Sequence, residues 1–277
     1  MSQQPLNPNA PFDRKLLRQR RKRAAPAFDQ HDFLLREVGA RVLERIVEER
    51  RVFPLSLDIG CHRGEFAQLL AQNPDHGVGR LVQCDLSPAM LAGAMGMRVA
   101  ADEEALPFRT GAFDLVLSIL SLHLVNDLPG CLVQIRRSLR PGGLFIGALF
   151  GGETLRELHQ SLAQAEMQCE GGLSPRIAPF TDIKDAGALL QRAGFERPVA
   201  DVDTINVSYA DPLSLMRELR GMGESNILHQ RRRQFLRRET LAMAMDHYRR
   251  NFSDDAGRVM AAFQVIYLTG WAPGAPA

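Results

Sequence analysis

The sequence predicts an α/β protein in which a mainly parallel sheet is covered by helices on both faces. Three observations point there. Short apolar runs recur along the first half of the chain, most are followed by segments of helical periodicity, and a glycine-bearing turn follows the first run. Such alternation builds right-handed β-α-β units.

Taken in order, Gln30–Arg51 carries apolar residues at helical spacing (Phe33, Leu34, Val38, Val42, Leu43, Ile46, Val47) and predicts an amphipathic helix leading into the domain. The runs Leu55–Ile59, Leu81–Cys84, Val99–Ala101, Phe113–Ile119 and Leu144–Leu149 predict five strands. Arg140-Pro141-Gly142-Gly143, before the fifth run, suits a type II turn. Beyond Phe150 the rhythm loosens. Glu153–Gln168, Ile183–Ala193, Asp211–Arg220, Arg231–Arg250 and Ala256–Ala262 read as helices, with Gly171–Phe180 as a Pro- and Gly-rich connection. Val199–Val202 and Val265–Leu268 are the expected last two strands, separated by roughly sixty residues. The division expected is a basic arm over 1–29 and one domain over 30–277, with helical insertions at about 151–181 and 208–262.

Composition narrows the class. With 277 residues, 45% hydrophobic and 24% charged, the chain can bury a full core without disulfides. The longest apolar stretches, Leu115–Leu120 and Leu144–Phe150, fall short of the roughly 18 residues that a membrane-crossing helix needs. Met1–Pro11 has no apolar run of signal-peptide type and is no convincing transit peptide, so a cytoplasmic protein is expected. The four cysteines form no C-x-x-C pair, and no His is followed two residues later by Asp or Glu, so no metal site is expected. Zincin, serine-hydrolase and P-loop motifs are also missing.

The net charge of +2 hides an asymmetry. Between Phe12 and Arg23 lie Arg14, Lys15, Arg18, Arg20, Arg21, Lys22 and Arg23 against Asp13 alone. This run reads either as a docking element for an acidic partner or as a solvated helix end; without interleaved aromatics or a nucleic-acid module, nucleic acid is not the expected partner. Arg231–Arg233 with Arg237 and Arg238 reads as an exposed helix face.

The chemistry concentrates at the ends of the first strands. Leu57-Asp58-Ile59-Gly60-Cys61-His62-Arg63-Gly64 places glycines where a strand turns into its helix, so a ligand can approach the backbone. A nicotinamide fingerprint would need Gly at 62 and 65, where His62 and Glu65 stand. Asp58 can receive an ammonium group, Asp85 both hydroxyls of a ribose, and Asp102–Glu103 an adenine amino group, although any one of these acids read alone is a helix cap or a surface charge. Together they line one crevice at the switch point of an open α/β sheet.

That arrangement resembles the class I S-adenosylmethionine-dependent methyltransferases over about residues 50–150, and implies a Rossmann-like fold with a mainly parallel seven-stranded sheet. The resemblance implies S-adenosylmethionine as cofactor, with its methionine moiety near Asp58 and Gly60, its ribose at Asp85 and its adenine at Asp102 and Glu103. Cys61, His62, Gly64 and Leu86 complete the implied cofactor set. His62 departs from the glycine many members carry there; the alternative for it is a loop residue pointing outward.

Phe12-Asp13-Arg14 through Arg23-Ala24-Ala25, Ser121-Leu122-His123 with Asn126-Asp127-Leu128-Pro129, Phe150-Gly151-Gly152, Gly172–Phe180 and Gly221-Met222-Gly223-Glu224-Ser225-Asn226 extend a narrower likeness over nearly the whole chain. The chain is similar to the methyltransferase-like assembly factors of respiratory complex I. The resemblance implies hydroxylation of an arginine on the iron-sulfur subunit near the quinone site, and a protein reaching the inner membrane only through that partner. Other readings stay open: a true methyltransferase acting on malonyl-acyl carrier protein or another small acceptor, and a non-catalytic assembly scaffold. His123, Glu224 and Asn226 are the candidates for catalysis. His123 is either a general base or a pocket-wall histidine, and Gly221–Asn226 is either a substrate contact or a helix-ending turn.

Overall fold

The computed structural model describes residues 10–177 and 183–274. Its sheet contains β1 (Phe53–Ile59), β2 (Val78–Asp85), β3 (Met97–Ala100), β4 (Phe113–Ile119), β5 (Leu139–Phe150), β6 (Glu196–Tyr209) and β7 (Val259–Trp271). The order is β3-β2-β1-β4-β5-β7-β6. The first five strands run parallel, and β7 enters antiparallel between β5 and β6. The seven-stranded, mainly parallel sheet is as the sequence predicts.

Side-chain alternation along the strands divides the core into two layers. Leu115, Leu117 and Ile119 of β4, with Leu144, Ile146 and Ala148 of β5, face α2 (Phe33–Glu48), α6 (Arg156–Glu170), α8 (Pro212–Gly221) and α9 (Arg238–Phe252). Val116, Phe145 and Leu149 face the opposite layer, α5 (Leu128–Ser138) and α7 (Ile183–Arg192). In α2 most of the predicted stripe is buried, with Leu34, Val38, Val42 and Ile46 fully enclosed, while Phe33 and Val47 at its ends are exposed. The remaining helices, α1 (Arg14–Ala24), α3 (Glu65–Gln72) and α4 (Pro88–Leu91), lie at the carboxyl edge of the sheet or in the first crossovers.

Three expectations change. Ala256–Ala262 is not a helix: Gly257 turns the chain at φ +76, and β7 begins at Val259, where pairing with β6 and burial of Val259, Ala261 and Phe263 override the helical preference of the alanines. Residues 231–237 precede α9 rather than forming its first turns, and Arg231 and Arg232 turn inward to Asp13 and Glu170. The strand expected at Val199–Val202 lies within a longer, 14-residue β6 that begins at Glu196. Of the connection over 171–180, residues 178–180 lie outside the described residues.

Residues 12–30 pack onto the sheet edge instead of projecting from it. Asp13 caps α1 by accepting from the Leu16 amide at 2.9 Å, and basic residues in the last turn suit the helix dipole. Leu17 and Ala24 are buried on the same face as Arg21, and a 3-10 helix over Ala25–Gln30 then buries Phe28. Phe12 bridges to Leu228, and the Asp13 amide donates to the Ile227 carbonyl at 2.8 Å, which clasps the start of α1.

Candidate functional site

The crevice forms where β1 ends. Gly60, at φ +71, lets the chain turn so that the amides of Gly60 and Cys61 both donate to the Cys84 carbonyl of the neighbouring strand, at 2.7 and 3.0 Å. Gly64, at φ +88, then caps α3. A Cβ on Gly60 would sit 2.1 Å from the Ser121 hydroxyl oxygen, so the space opened by the glycine is taken by a side chain arriving from the end of β4.

His62 occupies the left-handed region at φ +52, and it does not point outward. Its ring is buried and stacks on Phe28, while its amide donates to Asp85 Oδ2 at 3.1 Å. Burial and the neighbouring Arg21 cation hold its pKa down to about 3, so the ring is neutral. Asp58 is 2% exposed; burial, with Glu65 and Asp85 nearby, pushes its carboxyl well above the usual range. Burial likewise raises Cys61, which argues against a thiolate there.

The acids expected on the crevice do converge, and two arginines meet them. Asp85 Oδ1 accepts from the Ser87 amide at 2.7 Å, and its Oδ2 accepts from Arg21 Nη1 at 3.0 Å. The same Arg21 nitrogen donates to Glu103 Oε1 at 3.2 Å, and Arg21 Nη2 donates to Ser121 Oγ at 2.8 Å. Ser121 in turn donates to Glu103 Oε1 at 2.8 Å. Arg14 reaches Asp102 Oδ1 at 2.7 Å, the Leu124 carbonyl at 3.0 Å and the outer oxygen of Glu103. Arg21, Asp85, Glu103 and Ser121 are each at most 1% exposed.

Electrostatics follow from that enclosure. Burial alone would push the Glu103 carboxyl up, but the guanidiniums of Arg14 and Arg21 outweigh it and hold the group down at about 2. Asp85 is raised, because burial and Glu103 exceed the help from Arg21. Leu86 stands slightly apart, packed with Phe12, Leu17 and Leu124 under α1.

Arg14, Arg21 and Ser121 were not among the expected site residues. A signal for the first two exists: Arg14, Leu17, Arg21 and Ala24 recur at intervals of three and four, which puts two bases and two apolar residues on one helix face.

Beside the crevice lies a cavity of about 170 Å³, walled by Leu124, Phe150, Leu155, Leu158, Met216, Leu219 and Phe263, with Thr154, Arg176, Glu224, Ser225 and Asn226 as its polar lining. Of the catalytic candidates, His123 and Glu224 come together: His123 Nε2 donates to Glu224 Oε2 at 3.2 Å, and the imidazole packs on Phe150 with ring centres 4.6 Å apart. Asn226 is held as a clasp. Its Nδ2 donates to the Pro175 carbonyl at 2.7 Å, its Oδ1 accepts from the Leu228 amide at 2.9 Å, and its carbonyl accepts from Arg20. In the run Gly221–Asn226, Gly223 turns the chain at φ +82 after α8, and Glu224 lines the cavity. Among the described residues no group of three or more His, Cys, Asp or Glu side chains is placed to hold a metal ion.

Residues 57–147, the segment that builds the crevice, match the family model described as a methyltransferase domain. A crystal structure of the YcgJ protein from Bacillus subtilis superposes with TM-score 0.59 at 14% identity, covering 86% of this chain and 98% of that one, which shows the fold. A malonyl-[acyl-carrier protein] O-methyltransferase from Halorhodospira halophila is 35% identical over 95% of this chain and 89% of its own length. The mitochondrial arginine-hydroxylase NDUFAF5 of Danio rerio is 44% identical over 95% of this chain and 83% of its own length. With a class I methyltransferase fold and that degree of identity across nearly its whole length, the chain belongs to the arginine-hydroxylase NDUFAF5 family.

Proposed function

We propose that this protein binds S-adenosylmethionine in the crevice and hydroxylates an arginine of the complex I iron-sulfur subunit, converting a C–H to a C–OH bond at the expense of an external two-electron oxidant that supplies the oxygen atom. The observation that carries the reading is the apolar cavity lined by Glu224. Its walls suit the three methylenes of an arginine side chain, and the carboxylate suits the guanidinium. His123 holds Glu224 in place, and Phe150 backs His123, so the anchor is fixed before substrate arrives. Exposed Arg23, Arg217 and Arg220 at a neighbouring cleft would steer an acidic partner surface toward this mouth.

The residue types at the strand ends fit the cofactor: Asp85 for a ribose, Asp102 and Glu103 for an adenine, Asp58 and the Gly60 turn for the amino-acid end, with Cys61, His62, Gly64 and Leu86 around them. In the observed conformation Asp85 is engaged by Arg21, so that set becomes available only when α1 moves. Bound, the cofactor supplies an electrophilic methyl group or a structural occupant; this chain's residues supply its hydrogen bonds and exclude water. Among the described residues no helix is long and apolar enough to cross a membrane, and the proposed location is cytoplasmic, at the inner membrane only through the partner.

The test is peptide mass spectrometry of the iron-sulfur subunit from cells with and without the gene. The expected result is loss of one oxygen atom's mass from an arginine-containing peptide in cells without the gene. An unchanged subunit sinks the reading and gives priority to methylation of a carrier-bound acid, the activity named for the Halorhodospira halophila relative.

A further inference from the structure

Arg21 is the largest fully buried side chain in the described protein, and it is a cation. Removing a guanidinium from water is costly unless its hydrogen bonds are replaced. Here two carboxylates and a hydroxyl replace them, at 3.0, 3.2 and 2.8 Å, while Nε finds no partner. Arg14 seals the outer side against Asp102 and Glu103. Asp85, Asp102 and Glu103 are therefore paired from within the chain, by the basic segment that precedes the domain.

We propose that the crevice is a guanidinium-binding site which Arg21 fills in the closed protein, and that a nucleoside cofactor and α1 occupy it in turn. This rests on the cofactor reading above and adds regulation to it. A ribose pairing with Asp85 needs the Oδ2 position that Arg21 holds, and Arg14 covers the adenine-side acids Asp102 and Glu103. Cofactor entry thus lifts α1 and releases Lys15, Arg18, Lys22 and the other bases of the arm into solvent. By linkage, anything that captures the freed arm tightens cofactor binding by the same factor.

Limited trypsin digestion of the full chain, with and without saturating S-adenosylmethionine, reads α1 directly, because the helix contains seven trypsin sites and cleavage tracks the population of the open form. Cofactor should speed cleavage after Arg14 to Arg23 about fivefold or more. Slower or unchanged cleavage while calorimetry shows binding overturns the proposal and leaves the cofactor reading intact, because it means α1 closes over the cofactor. Arg21→Ala should bind the cofactor about tenfold more tightly than the parent, since the competing occupant is gone. Methylguanidinium at about 10 mM should fill the vacated site and return that affinity toward the parent value, with no such effect on the parent protein. If Arg21→Ala proves unfolded, Leu17→Ala loosens the same helix without stripping the crevice of its cation, and should show the same tightening. No binding to the parent or to either variant overturns both the proposal and the cofactor reading.

Discussion

The ring of His62 lies stacked on Phe28, with centroids 5.3 Å apart and planes inclined by 16°. This contact explains why a side chain stands in a left-handed turn where glycine is the easier choice: the ring closes the gap between the β1 turn and the segment that follows α1. His62→Gly removes the backbone cost but also a buried ring and its partner. The net effect expected is a loss of roughly 1–2 kcal/mol in urea denaturation. A gain in stability would mean that the backbone cost exceeds the stacking.

Gly60→Ala should be more damaging, because a Cβ there meets the Ser121 hydroxyl at 2.1 Å in a backbone region that L-residues avoid. Ser121 would have to leave both Arg21 and Glu103. A loss of roughly 2–4 kcal/mol is expected. Gly111→Ala is the control, with a similar φ of +64 and open space around it, and should lose only roughly 1–2 kcal/mol of backbone preference. Equal losses in the two variants would remove the steric argument.

Glu65 gives a pH signature. Burial pushes its pKa up to about 7, against the opposing help of the Arg63 amide. The folded protein keeps this proton over a range where the unfolded chain has lost it, so this group takes stability away as pH rises from its unfolded value of about 4.5 toward 7. Glu65→Gln keeps the acceptor for Arg63 without the charge. Its stability relative to the parent should rise across that window, by as much as about 3 kcal/mol. A pH-independent difference between the two proteins contradicts the shift.

Glu224→Gln tests the anchor in the cavity. Replacing the carboxylate by an amide leaves the shape and a partner for His123 but removes the charge that faces a guanidinium. Arginine hydroxylation, read as the fraction of subunit peptide carrying the extra oxygen, should fall at least about tenfold with the melting temperature nearly unchanged. Full activity would move recognition of the arginine elsewhere.

The crevice was legible because Asp58, Asp85 and Asp102–Glu103 each close a run of strand character, so their order alone placed them together. The far side of the sheet was harder to read. Edge strand β6 alternates charged and apolar residues, Asp201 and Asp203 reaching Arg45 and Arg41 of α2, and only its most apolar stretch stood out. The alanines before Phe263 favour a helix locally and are overruled by pairing with β6. Burial of Arg21 was hidden by its neighbours: seven bases in twelve residues average to a solvated segment, although the spacing of Arg14, Leu17 and Arg21 marks an inward face.

The clasp between Asp13 and Ile227 has a consequence for biosynthesis. The first helix leaves the ribosome before any of the groups that hold it, since Asp85, Glu103 and Ser121 follow by 64 residues or more and Ile227 comes near the end. During most of translation the arm is an uncovered stretch of positive charge above a half-built sheet. Its docking therefore waits on synthesis through Ile227, and a nascent protein halted before that residue lacks the clasp that holds the arm in the folded molecule.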